Sequence, residues 1–197
     1  LNEAVGVPVV TRPENGFMPT LDELLPHLRT ARMLVLNSPL NPAGTVIAPD
    51  LLRPVCEAIV EENNRRAATG ERPMYLLYDQ VYQQLVFEGY AHVTPIHLVP
   101  EMARYTILVD AISKAWAATG LRLGWAVCPP WVRDRMKPLV GHMGAWAGRA
   151  EQVATARLLE VPEQTDAYMA GFRGKLQSRL QRIRDGLWGM RDDGLPV

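Results

Sequence analysis

Neither charge is in excess: 21 basic side chains are balanced by 21 acidic ones, and the formal net charge is zero. Proteins held to nucleic acid or to an acidic membrane draw on a positive field, and the chain as a whole offers none. Cysteine is scarce. Cys56 and Cys128 lie far apart in apolar surroundings, and are read as two buried free thiols in a reducing cytoplasm rather than as a disulfide framework. No apolar run approaches the roughly 20 residues that a membrane helix needs, and no signal peptide is visible. The four histidines show no metal-ligand spacing and are read as structural or surface residues. No metal, nucleic-acid or membrane partner is expected.

What is present is an apolar share of 48%, enough for a packed core and too much for general disorder. A length of 197 residues suits one domain, or one and a fraction. The chain opens at Leu1 on a strand-like stretch. It closes on the turn signal Asp193-Gly194-Leu195-Pro196-Val197 after a long helical pattern, so both ends read as cuts through a larger protein. There is no internal repeat and no low-complexity segment.

Val7 to Val10 reads as a short strand, and Asn15-Gly16 as a turn. Thr20, with Glu23 three residues on, is a capping-box start for a helix through His27. Met33 to Leu36 is a continuous apolar run, as in a strand buried on both faces. Pro49-Asp50 opens a long helix to about Ala68, closed by Gly70. Met74 to Tyr78, Thr106 to Val109 and Leu123 to Val127 read as further strands. Pro129-Pro130 ends the last of them, and a helix begins near Trp131. From Arg149 the pattern is almost all helical, over 149–160 and 164–191. Short apolar strands alternating with helices indicate an α/β fold with a mostly parallel sheet flanked by helices. Residues 1–148 form its main part, and 149–197 form a linker helix and the start of a second, smaller domain.

Open α/β sheets bind ligands at the carboxyl ends of their strands. The first buried run is followed by Asn37-Ser38-Pro39-Leu40-Asn41-Pro42-Ala43-Gly44, and the second by Asp79-Gln80-Val81-Tyr82. The third is followed by Asp110-Ala111-Ile112-Ser113-Lys114 and then Thr119-Gly120-Leu121-Arg122. Taken singly, each has an ordinary explanation. Asn-Pro is turn chemistry, an Asp at a strand end is often a helix cap, Ser-Lys is a common surface pair, and Thr-Gly-x-Arg is weak. Chance is a poor account of all of them in this order on consecutive strand ends.

Pyridoxal-phosphate (PLP) chemistry uses them all. A lysine amine, here Lys114, forms a Schiff base with an aldehyde, exchanges it for a substrate amine, and can then carry a proton. A carboxylate such as Asp79 stabilises a protonated pyridine nitrogen. Asn41 and Tyr82 can serve a ring oxygen, and Ser113 and Arg122 a phosphate.

These segments resemble the class I/II (fold-type I) aminotransferases. The first is similar to the family's Asn-Pro-x-x-Asn-Pro-Thr-Gly and the second to its Asp-x-x-Tyr. Ser113-Lys114 followed by Gly120-Leu121-Arg122-Leu123-Gly124 is similar to its Ser-Lys and Gly-x-Arg-x-Gly. The likeness runs from about Val5 to the end, and covers about half of such an enzyme. It implies that Lys114 holds the cofactor and moves the proton, and that Asp79 pairs with the ring nitrogen. Asn41 and Tyr82 bond the ring oxygen, and Ser113 and Arg122 bind the phosphate. It further implies a cis Asn41-Pro42 bond and a homodimeric parent acting on an amino acid and a 2-oxo acid. Ala43 replaces the family threonine, and Ala111 stands where many members carry a second phosphate-binding serine. The family's phosphate loop and ring-stacking aromatic fall before Leu1, and its carboxylate-binding arginine after Val197. Trp116, Trp125, Trp131 and Trp146 are read as core or interface residues. Val86, Phe87 and Tyr90 suit either a partner contact or packing. A transaminase is the leading expectation. A β- or γ-lyase on the same scaffold, a PLP-sensing domain of a transcription regulator and a non-catalytic fragment are the alternatives.

Overall fold

The computed structural model describes residues 4–192 and 194–195. The C-terminal turn is seen at Gly194, whose φ is 82°, while Asp193, Pro196 and Val197 lie outside the described residues. Thr20 caps α1 (Leu21–Leu28) with the full reciprocal box: its hydroxyl accepts from Glu23 N at 3.4 Å, and its own N–H donates to Glu23 Oε2 at 2.8 Å. The long helix α2 (Pro49–Thr69) starts with proline in its first turn and stops at Gly70, which is left-handed at φ 70°. Its apolar stripe, Leu52, Val55, Cys56 and Ile59, is fully buried. Burial pushes the Cys56 thiol up to about 12, so it behaves as a small apolar side chain. Cys128 is free as expected but only half-buried.

Strands β1 (Met33–Asn37), β2 (Tyr75–Asp79) and β3 (Thr106–Ala111) pair in parallel, and β4 (Gly124–Val127) pairs antiparallel to β3, in the order β1-β2-β3-β4. The mostly parallel α/β expectation therefore holds. Leu36 and Tyr78 face α2 and join its stripe in one core. Burial on both faces, expected for β1, is not found: Met33 and Val35 are 46% and 62% exposed. β1 is an edge strand, and the helical core reaches only the alternate residues of its other face. The strand expected at Val7–Val10 is absent as well. That stretch runs extended without ladder partners, and Val7 and Val10 stand in solvent.

The remaining elements are α3 (Pro95–Leu98), α4 (Ile112–Ala115), α5 (Pro130–His142), α6 (Arg149–Leu159) and α7 (Pro162–Asp192). Trp131 at the start of α5 packs its ring 5.3 Å from that of Tyr75. α7 meets the sheet domain through Arg173, whose guanidinium donates to Gln84 O at 3.1 Å. No helix among the described residues is long and apolar enough to cross a membrane.

One polar anchor holds the layers. Arg66, 2% exposed, donates to Leu28 O, Arg29 O and Ala31 O at 2.8, 3.1 and 2.9 Å, and to Glu62 Oε1 at 2.6 Å. It thus satisfies the carbonyls at the end of α1 that no helical N–H reaches. Asn63, one helical turn earlier, exchanges two hydrogen bonds with the backbone of Met74 at the entry to β2.

Replacing Arg66 with alanine strands these carbonyls and leaves the Glu62 carboxylate to Arg65 alone; we expect a loss of about 1–3 kcal/mol in denaturant unfolding. Hydrogen bonds from Arg65, and then from Arg66, hold the Glu62 carboxyl at about 2. A depressed carboxyl stabilises the fold above its ordinary value and ceases to do so as pH falls. Unfolding followed against pH should therefore show an acid-side loss of stability, between its ordinary value near 4.5 and about 2, that is smaller in Glu62→Gln.

Candidate functional site

The parallel register sets Asn37 opposite Asp79, so β1 and β2 end level. The Asn37 side chain spans the two exits: Nδ2 donates to Asp79 O at 3.0 Å, and Oδ1 accepts from Asn41 N at 2.8 Å. Between them the chain folds into a tight loop, in which Gly44 N donates to Leu40 O at 2.7 Å and Leu40 N to Thr45 O at 2.8 Å. Gly44 closes it in the left-handed region at φ 73°, where a side chain is strained. The Asn41-Pro42 bond is cis, as the family resemblance implied, and Ser38-Pro39 is cis too. The loop aims the Asn41 amide across to β2's exit, where Nδ2 donates to Tyr82 Oη at 3.3 Å.

Asp79 accepts from Val81 N at 3.1 Å through one carboxylate oxygen, which turns the chain off the strand and presents Tyr82. Lys114 approaches Tyr82 from β3's exit, its Nζ 6.0 Å from the ring centroid. The buried Ile112 and Ala115 fix the short α4, leaving Ser113 half-buried and Lys114 exposed. Because β4 runs antiparallel, it begins where β3 ends, and the preceding Thr119–Arg122 segment reaches the same sheet edge. Arg122 is left-handed at φ 51°, as is Ala117 at φ 51°. Such conformations cost a non-glycine residue energy and concentrate at working sites. The Arg122 guanidinium spends one hydrogen bond on Thr119 O at 3.0 Å, leaving most of its planar fork for a ligand. Gly124 lets this segment come close, since a Cβ there would lie 2.9 Å from Asp110 O.

Asn41, Tyr82 and Lys114 are thus in contact range, Asp79 lies two bonds of the same network away, and Ser113 adjoins Lys114. Arg122 sits at the same edge but is bonded to its own loop. A cavity of about 750 Å³ opens beside the Asn41–Tyr82 pair, with Leu40, Val86, Phe87 and Tyr90 on its walls. This gives the last three residues, left undecided from sequence, a place. Among the described residues no cluster of His, Cys, Asp or Glu suits a metal.

Two structural roles were not legible in the sequence. Asn37 bridges two strand exits. Asp110, 6% exposed, accepts a very short hydrogen bond from Gln83 Nε2 and another from Ala111 N at 2.7 Å. Burial first, and the charge of Asp79 after it, push the Asp110 carboxyl upward, against the pull of its donors. The signal for Asp110 was only that of an acid at a strand end; its partner lies 27 residues away.

Known proteins resemble this chain in sequence and in fold. Residues 1–197 match the family model of aminotransferase class I and II. The chain is 33% identical to a probable aspartate/prephenate aminotransferase of Thermus aquaticus, over 93% of its own length and 45% of the relative's. It is 32% identical to an arginine–pyruvate transaminase of Pseudomonas aeruginosa, over 95% of this chain and 46% of that one. Among solved structures, aspartate aminotransferase from Thermus thermophilus with maleate superposes with a TM-score of 0.81 at 29% identity, covering 93% of this chain and 45% of that one. An aromatic aminotransferase from Pyrococcus horikoshii does so with a TM-score of 0.80 at 27% identity, covering 96% and 47%. The chain spans about half the length of the curated relatives it matches. With its whole length matched and the sheet-edge motifs in place, it belongs to the class I and II aminotransferases.

Proposed function

We propose that this chain carries the pyridoxal-phosphate site of a transaminase that exchanges an amino group between an amino acid and a 2-oxo acid. Members of the family use this cofactor, and the donor set here fits it. Lys114 supplies an amine for its aldehyde, Asp79 a carboxylate for its ring nitrogen, and Asn41 with Tyr82 a paired amide and phenol for its ring oxygen. Ser113 and Arg122 supply a hydroxyl and a guanidinium for its phosphate. The single observation that carries the reading is the contact of Asn41 with Tyr82 at 3.3 Å, with the Lys114 amine 6.0 Å from the same phenol ring.

When bound, the cofactor contributes an electron-accepting ring that makes a proton on an amino acid's Cα removable. The protein's part is orientation and proton traffic. Asp79 keeps a positive charge on the ring nitrogen by Coulomb attraction. Asn41 and Tyr82 would hydrogen-bond the ring oxygen, and Arg122 with Ser113 would hold the phosphate. Lys114 would supply, once its Nζ is free, the amine that moves the proton off the substrate Cα, working as base and then as acid.

Residues 1–148 are read as part of the large cofactor-binding domain, and 149–197 as a linker helix and the start of a smaller one. The support is the change at Arg149 from elements packed on the sheet to the extended pair α6 and α7. We further propose that the intact protein works in the cytoplasm as a homodimer.

The test is an amino-transfer assay on the full-length protein with cofactor, an amino-acid panel and a 2-oxo acid. Formation of a new amino acid, lost by at least about 10³-fold in Lys114→Ala, is expected, since the substitution removes both the anchor and the acid–base group. Release of ammonia or a thiol in place of a new amino acid overturns the transaminase reading in favour of a lyase.

A further inference from the structure

Tyr82 hangs on a short segment between β2 and the rest of the molecule, and its phenol can serve a ring oxygen only if that segment is held still against Lys114. Backbone bonds fix part of it: Gln80 N donates to Val109 O at 3.0 Å, Gln83 N to Gln80 O at 2.8 Å and Leu85 N to Tyr82 O at 2.8 Å. All but the first are internal to the segment. The side-chain tie to β3 runs through one group. The Asp110 carboxylate receives Gln83 Nε2 on Oδ2 and the Ala111 N–H on Oδ1. Gln80 faces His92 Nε2 at 3.4 Å. Tyr82 thus directly precedes a glutamine that is moored to Asp110. Asp110 itself lies four residues before Lys114, at the strand end from which α4 springs.

We propose that Asp110 is a positioning residue of this site: through Gln83 it sets the placement of the Tyr82 phenol relative to Asn41 and Lys114. The inference rests on the cofactor reading given above. Its physical content is that a nearly buried carboxylate with two donors stays where those donors hold it. Removing the acceptor leaves the Gln83 amide without its partner and frees the segment that it anchors. An asparagine at the same position keeps an oxygen for Gln83 and retains most of the tie, whereas a leucine keeps none.

The test uses full-length protein loaded with pyridoxal phosphate, and follows the pH midpoint of the visible absorbance band of the Lys114 Schiff base. A phenol hydrogen-bonded to the ring oxygen must influence that midpoint, so Tyr82→Phe provides the reference shift. Asp110→Leu is expected to move it in the same direction by about half a pH unit to one unit, the worth of one hydrogen bond to a titrating group. Asp110→Asn should stay near wild type. The double variant Asp110→Leu/Tyr82→Phe should move no further than Tyr82→Phe alone, because both act through the same phenol. Gln83→Leu, on the partly exposed side of the pair, should shift the midpoint likewise and serves if Asp110→Leu does not fold. A wild-type midpoint in Gln83→Leu or in folded Asp110→Leu, or shifts that add in full to that of Tyr82→Phe, overturns the proposal. Absence of a Lys114 band from the wild-type protein overturns the cofactor reading itself, and this inference with it.

Discussion

Asn37 donates its side-chain amide to the carbonyl of Asp79 across the β1–β2 ladder, and with the oxygen of the same amide it accepts the backbone N–H of Asn41. This double contact couples the register of the sheet to the path of the loop that leaves it. In register, Asp79 ends β2 level with Asn37, the loop curls back over both, and the Asn41 amide reaches the Tyr82 phenol. A slip of one residue would turn Asp79 to the opposite face of the sheet and carry the loop away from Tyr82. Four separate segments can therefore compose one site with few direct bonds between their side chains.

Stability and chemistry are separated along the strands. Arg66 and Asn63 on α2 grip the chain just before β1 and just before β2, and the fully buried stripe of α2 packs on the face that bears Leu36 and Tyr78. The carboxyl ends are left to polar loops, a left-handed arginine and an exposed lysine. An active edge that carries strain and desolvated charge can be tolerated because the opposite end of the same strands is held by buried and fully partnered groups. Asp110 is where the two demands meet. It is buried like a core residue, yet it is charged and bound to the segment that presents Tyr82.

Much of this was legible in the sequence because it is local. The capping box at Thr20, the proline and glycine that bracket α2, and the apolar runs of the four strands each carry their own signal. Asn41, Tyr82, Ser113 and Lys114 were picked out as candidates because each follows a strand at short spacing, and Arg122 because it follows in the same segment. What escaped depends on distant partners. The valines of Val7–Val10 look like a strand, but a strand needs a neighbour, and among the described residues they have none. The apolar run of β1 does not reveal that β1 is an edge strand with one open face. The antiparallel course of β4, which carries Arg122 to the working edge, is decided by pairing with β3 and by the close approach at Gly124. Asp110 and Gln83 carry no shared local pattern, and only the fold brings them together.

Borohydride reduction of the full-length protein with pyridoxal phosphate, followed by peptide mapping, tests the central claim most directly. The account predicts one pyridoxyl adduct, on the peptide that contains Lys114, and none at that position in Lys114→Ala. Adducts scattered over several lysines, or none at all, would contradict the assignment of this sheet edge as the cofactor site.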